Sequence, residues 1–182
     1  TDFEQKRVTL KDQAYSGKIG RSKYFQELVR LYGIEDEKEI AEGVAAIWRD
    51  DDSVAIFEGV PETVIALKQR GYILGIITDT AMPYSRKLGW FEQHGFGHVW
   101  DVVVSSKEVG IRKPAPIMYR KALEQTGLCP EETVFIGHKA YELEGARNEG
   151  MRTVAFNYDK EAVADYYIKD FPELLSVPIL CE

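Results

Sequence analysis

The chain has only two cysteines, Cys129 ahead of a proline and Cys181 next to the C-terminus. Neither has metal-ligand spacing or a reactive setting, so both are expected as free thiols and a disulfide or zinc framework is excluded. No apolar run approaches the roughly twenty residues that a membrane span needs. The stretch Thr1-Asp2-Phe3-Glu4-Gln5-Lys6-Arg7 has no signal-peptide core, which points to a cytoplasmic protein. Positive charge is also short: the net charge is −7 and the pI is near 5.1, so the overall field opposes nucleic-acid backbones and anionic lipid. No Gly-x-Gly-x-x-Gly follows a strand-like run, which sets aside a dinucleotide site, and there is no internal repeat.

What is present is an ordinary globular mixture, 45% apolar and 29% charged over 182 residues, enough for one substantial core with a small appendage. Phe25, Leu28, Val29 and Tyr32, then Ile40, Val44, Ile47 and Trp48, repeat at helical spacing, and Gly33 separates the two sets. They predict a small helical layer over residues 1–55, with Asp50-Asp51-Asp52-Ser53 marking its boundary. Beyond it, over 56–182, β-branched runs alternate with helix-length segments. The strands are expected at Tyr72–Thr78, Val99–Val104, Thr133–Gly137, Arg152–Phe156 and Tyr166–Ile168. The helices are expected at Pro61–Arg70, Ala81–His94, Pro116–Gln125 and Glu142–Glu149. This alternation predicts an α/β fold, a Rossmann-type parallel sheet core with a small α-helical cap.

In open α/β sheets ligands bind beyond the carboxyl ends of the strands, so residues just after each run carry the chemistry. Thr78-Asp79-Thr80 offers hydroxyls and a carboxylate at the first such end, suited either to cradling a phosphoryl group or simply to capping a helix. Lys113 stands in Arg112-Lys113-Pro114-Ala115-Pro116, where a stiff Pro-x-Pro frame limits where its ammonium points. It suits a phosphate or a carboxylate nucleophile, against the plain alternative of a solvated basic loop. His138 follows the strand-end Gly137 and lies four residues before Glu142, so that both can face one ligand, unless His138 only caps the turn. His94 and His98 lie at the wrong end of a strand and are read as structural.

Together these segments resemble the haloacid dehalogenase-like (HAD) hydrolase superfamily over residues 56–175. Gly75-Ile76-Ile77-Thr78-Asp79 looks like its second motif, and Gly110-Ile111-Arg112-Lys113-Pro114-Ala115-Pro116 like its third. Val134-Phe135-Ile136-Gly137 with Gly145-Ala146-Arg147-Asn148-Glu149-Gly150-Met151 looks like the frame of its fourth. The helices before them resemble its cap.

The resemblance implies a hydrolase, of phosphatase or dehalogenase type, in which a strand-end aspartate attacks a small phosphorylated or otherwise anionic metabolite and forms an aspartyl intermediate. Thr78, with Asp79 and Thr80 beside it, would bind the transferring group. Lys113 would hold the nucleophile and stabilise negative charge, and the fourth motif would hold Mg2+. Two departures stand out. Nothing between Thr1 and Lys23 reads as an apolar strand ending in Asp-x-Asp, Arg7–Asp12 being too short and too polar. In the fourth motif His138 stands where an aspartate is usual, and an imidazole beside Glu142 makes a poor magnesium site.

The family's first strand lies mid-sheet, and its loss would leave two rows of unpaired backbone groups, each costing about 1–3 kcal/mol. The expectation is therefore that about 15 to 20 residues precede Thr1 in the natural protein, or that a partner chain, another copy or a different protein, completes the sheet. The competing expectation is a catalytically inactive HAD-fold binding or scaffold module.

Overall fold

The computed structural model describes residues 2–50 and 54–180. Of the acidic boundary cluster, Asp51, Asp52 and Ser53 lie outside the described residues, as does Cys181; Cys129 is exposed and free.

Five short strands form: β1 (Gly75–Thr78), β2 (Val102–Ser105), β3 (Val134–Gly137), β4 (Arg152–Phe156) and β5 (Tyr166–Ile168). Their β-branched side chains pack on both faces of the pleat. In β4 the adjacent Val154 and Ala155 are both fully buried yet belong to opposite cores. Ala155 joins Val104, Met118, Tyr119, Phe135 and Leu143 beneath α7 (Pro116–Thr126) and α8 (Ala140–Asn148). Val154 joins Leu67 of α4 (Val60–Gln69), Ile168 of β5, and Leu174 and Leu180 of the C-terminal 3-10 turns.

All pairings are parallel, but the strands form two separate sheets, β1–β2 and β3–β4–β5. Between β1 and β3 lies a cavity of about 630 Å³, lined by Ile76 and Ile77 on one side and Phe135, Ile136 and Gly137 on the other. Ile136 is 36% exposed although it sits mid-strand, because no described strand covers that edge.

Several boundaries differ from the sequence expectation for local reasons. β1 starts at Gly75 and β2 at Val102: the Asp101 N–H still donates to the Leu74 carbonyl (2.8 Å), but the Leu74 N–H goes to the Asp101 carboxylate (2.8 Å), which also accepts from the Lys68 ammonium (2.6 Å), and the ladder begins one residue later. The helix expected from Ala81 begins only at Tyr84, as α5 (Tyr84–Gln93): Met82 precedes a proline, and its N–H is taken by the Thr80 hydroxyl. Thr78-Asp79-Thr80 therefore does not lead straight into a helix start. The loop after β2 contains a single turn, α6 (Ser106–Val109), closed by Gly110 at φ +85°.

The N-terminal layer has three helices, α1 (Asp2–Tyr15), α2 (Arg21–Leu31) and α3 (Glu37–Asp50). The last two bury Phe25, Val29 and Ile40 and half-bury Leu28, Val44, Ile47 and Trp48, as their spacing predicts, whereas Tyr32, expected on the same face, is exposed at the end of α2. The first was not foreseen, since it is polar almost all round and buries only Ala14. Its end is fitted closely to the core: a Cβ on Gly17, at φ +73°, would lie 2.7 Å from the Lys107 carbonyl oxygen. Among the described residues no helix is long and apolar enough to cross a membrane.

Candidate functional site

The C-terminal ends of β1 and β3, with the loop that follows β2, bring together most of the residues singled out from sequence. Thr78 ends β1 and is buried. Its hydroxyl accepts a 2.6 Å hydrogen bond from Lys87 Nζ, on α5, a lysine that no sequence pattern distinguishes from its neighbour Arg86. Burial, and next the charge of Lys113, push the Lys87 ammonium below the ordinary lysine range, partly offset by Asp79.

Lys113 reaches inward from the Pro-framed loop. Its Nζ donates to the Ile77 carbonyl at 3.0 Å and lies 3.2 Å from Glu142 Oε1, both side chains being less than a tenth exposed. The Lys113 backbone N–H donates to Asp79 Oδ1 at 3.1 Å. Asp79 thus ties the end of β1 to the Lys113 loop, and its second oxygen faces Arg112 Nε at 3.6 Å. Glu142, in the first turn of α8, is buried, and its Oε2 lies 3.8 Å from Nδ1 of the half-exposed His138. The same turn is anchored by Tyr119, whose hydroxyl donates to the Glu142 carbonyl at 2.8 Å. Burial and the Glu142 charge push that phenol well above its usual range.

Lys113, Glu142 and His138 line the cavity between the half-sheets, whereas Thr78 and Lys87 sit beside it, joined through the Lys113–Ile77 bond. Thr80 is not brought into this cluster. Its hydroxyl is committed to Met82, and its N–H donates to Ser106 Oγ at 2.9 Å, while Ser106 in turn donates to the Tyr15 carbonyl at the end of α1. Ser106 is fully buried and forms the direct polar link between the strand-end loop and the helical layer. The sequence marked its loop but not its role, because only the fold brings Tyr15 and Thr80 to it.

Chemically, the arrangement is a pair of cations, Lys87 and Lys113, beside a strand-end hydroxyl, with one buried carboxylate balancing Lys113. It favours an anion at the rim. As a magnesium site the donors do not fit. Glu142 is already paired with a lysine, His138 is a nitrogen ligand, and among the described residues no three His, Cys, Asp or Glu gather to hold a metal.

The profile of the family described as haloacid dehalogenase-like hydrolase matches residues 5–156, taking in the N-terminal helices as well as the strand-end motifs. Among curated proteins the chain is similar to a glyceraldehyde 3-phosphate phosphatase of Pyrococcus furiosus, 34% identical over 167 residues that cover 85% of this chain and 68% of that one. It is also similar to a pyrophosphatase of Halalkalibacterium halodurans, 27% identical over 90% of this chain and 82% of the relative. Among solved structures, a 2-haloacid dehalogenase from Pseudomonas syringae shares the fold, with a TM-score of 0.69 at 20% identity over 98% of this chain and 79% of that one. With its parallel α/β layers and the helices of α1 to α3 inside the matched region, the chain belongs to the haloacid dehalogenase-like hydrolase family.

Proposed function

We propose that this chain forms the binding rim of a hydrolase for a small phosphoryl-bearing metabolite, with residues 1–55 acting as the cap and residues 56–182 as the catalytic core. The observation that carries the reading is the convergence of Thr78, Lys87, Lys113 and Glu142 on one strand-end rim. Lys113 and Lys87 would neutralise charge on the transferring group, and Thr78 would orient it. Lys113, placed by its bonds to Ile77 and Glu142, would also face a carboxylate nucleophile presented by a strand seated in the cavity between β1 and β3. Such a strand would give both open edges a partner, and its aspartate would form the aspartyl intermediate. The phosphatase and pyrophosphatase names of the relatives support a hydrolase over a scaffold module.

The test is turnover of p-nitrophenyl phosphate by protein expressed from its full reading frame. Activity should fall by about 100- to 1000-fold in Lys113→Ala, and turnover that survives the substitution refutes the role given to Lys113. A second reading, halide displacement from a 2-halo acid, is favoured by one observation, the poor fit of His138 and Glu142 to magnesium. Chloride release from 2-chloropropionate, without phosphate release from the ester, would select it.

A further inference from the structure

Residues 112 and 113 are neighbours in sequence, yet their side chains part. Lys113 turns inward to Ile77 and Glu142, whereas Arg112 turns toward α1. There its contacts are loose. Nη1 lies 3.6 Å from Asp12 Oδ1 and Nε lies 3.6 Å from Asp79 Oδ2, both beyond hydrogen-bond distance, and Nε is buried without an acceptor. A buried guanidinium N–H without an acceptor is uncommon, and it leaves a donor free for a ligand.

A second cation shares its surroundings. Arg112 lies over the Tyr15 ring at 5.4 Å from the centroid, and Lys11, one helical turn before Tyr15, lies over the same ring at 5.3 Å. Lys11 has no carboxylate partner among the described residues. Burial, followed by the charges of Arg112 and Arg7, pulls its ammonium below the ordinary lysine range. The third cation nearby, Lys139, is by contrast already closed by Asp159 at 2.9 Å. Two cations thus share one ring, and neither makes a hydrogen bond to the two carboxylates beside Arg112, Asp12 and Asp79, each 3.6 Å away. They stand one carboxylate, Asp79, away from the Lys113 rim.

We propose that Lys11 and Arg112, gathered on Tyr15, form a second anion subsite between the first helix and the core, so that the preferred substrate carries two anionic groups, as a diphosphate does. The inference rests on the phosphoryl reading above. Its chemistry is that of the guanidinium fork and the ammonium, which together hold an oxyanion that Lys113 and Thr78 do not reach.

Calorimetric binding of inorganic pyrophosphate and of orthophosphate to the same protein tests it, read as the ratio of the two affinities. The wild type should bind pyrophosphate about tenfold or more tightly than orthophosphate, the scale of one added charge-assisted hydrogen bond. Lys11→Met and Arg112→Gln should each bring the ratio close to one. Lys6→Met removes the same charge from an exposed position of α1 and should leave the ratio intact. Melting curves establish that each variant is folded. Orthophosphate binding with no preference for pyrophosphate overturns the second subsite alone, and so does a ratio that falls as far in Lys6→Met as in Lys11→Met. Failure of the wild type to bind either anion overturns this inference and the phosphoryl reading together.

Discussion

The two ends of the sheet handle polar groups in opposite ways. At the β4–β5 end, Thr153 is fully buried and both its N–H and its hydroxyl are matched: each donates to Asp165 Oδ2, at 2.7 and 2.9 Å, and the hydroxyl accepts the Asp165 N–H. At the β1 end, Lys87 meets only a hydroxyl, Arg112 Nε has no hydrogen-bond acceptor, the Asp79 carboxylate lying 3.6 Å away, and the buried Ser105 hydroxyl has no hydrogen-bond partner. Both ends belong to one fold and are built from strands of similar composition. The closed hydrogen-bond circuit holds structure, whereas the open one leaves donors available at the strand-end rim.

That contrast can be broken by substitution, beginning with the buried ion pair. Lys113→Met leaves the Glu142 carboxylate buried without its cation and should cost about 3–5 kcal/mol in urea unfolding. Adding Glu142→Gln should restore most of that loss, and a double variant no more stable than the single would show that the pair is not coupled. Next in size is Ser106→Ala, which strips the acceptor from the Thr80 N–H and the donor from the Tyr15 carbonyl. It should cost about 2 kcal/mol and loosen α1, seen as faster amide exchange in Asp2–Tyr15.

The closed circuit should respond less. Thr153→Val removes a hydroxyl that both donates and accepts, and should cost about 1 kcal/mol. The same circuit sets an acid dependence. Burial pushes Asp165 upward, but hydrogen bonds from Thr153, backbone and side chain, outweigh it and hold the carboxyl below its usual range. A depressed carboxylate adds stability that is present above the unfolded-state value, about pH 3.9, and is lost as pH falls through the folded one. Asp165→Asn should therefore flatten the acid limb of the stability curve and leave its alkaline limb unchanged. The smallest effect belongs to the exposed Arg30–Glu37 pair at 2.7 Å, where Glu37→Gln should leave the melting temperature unchanged within error.

Strand existence, parallel order and the helical layer of α2 and α3 were legible from periodicity, because most of those side chains pack where the period puts them, the exposed Tyr32 being the exception. β4 and β5 fall at their expected bounds, Arg152–Phe156 and Tyr166–Ile168. What escaped depends on contacts between distant residues. Asp101 takes the Leu74 N–H at the start of β1, and α1 is held by the Ser106 hydroxyl, the close approach at Gly17 and ring contacts of Phe3 and Tyr15 rather than by an apolar stripe. In the site, Lys113, Thr78 and the His138–Glu142 pair were readable as strand-end residues. Thr80 was read as facing the ligand but is spent on its own loop. Lys87 and Lys11 were invisible, since a lysine on a helix carries no mark of which way the fold will turn it.

The central claim is that Thr78, Lys87 and Lys113 form one anion-binding rim. A crystal soaked in tungstate tests it most directly, because the heavy anion is located by its own scattering. A tungstate is expected within hydrogen-bond distance of Thr78 Oγ1 and both lysine ammonium groups. Tungstate bound only elsewhere, or a rim left empty at saturating concentration, would contradict it.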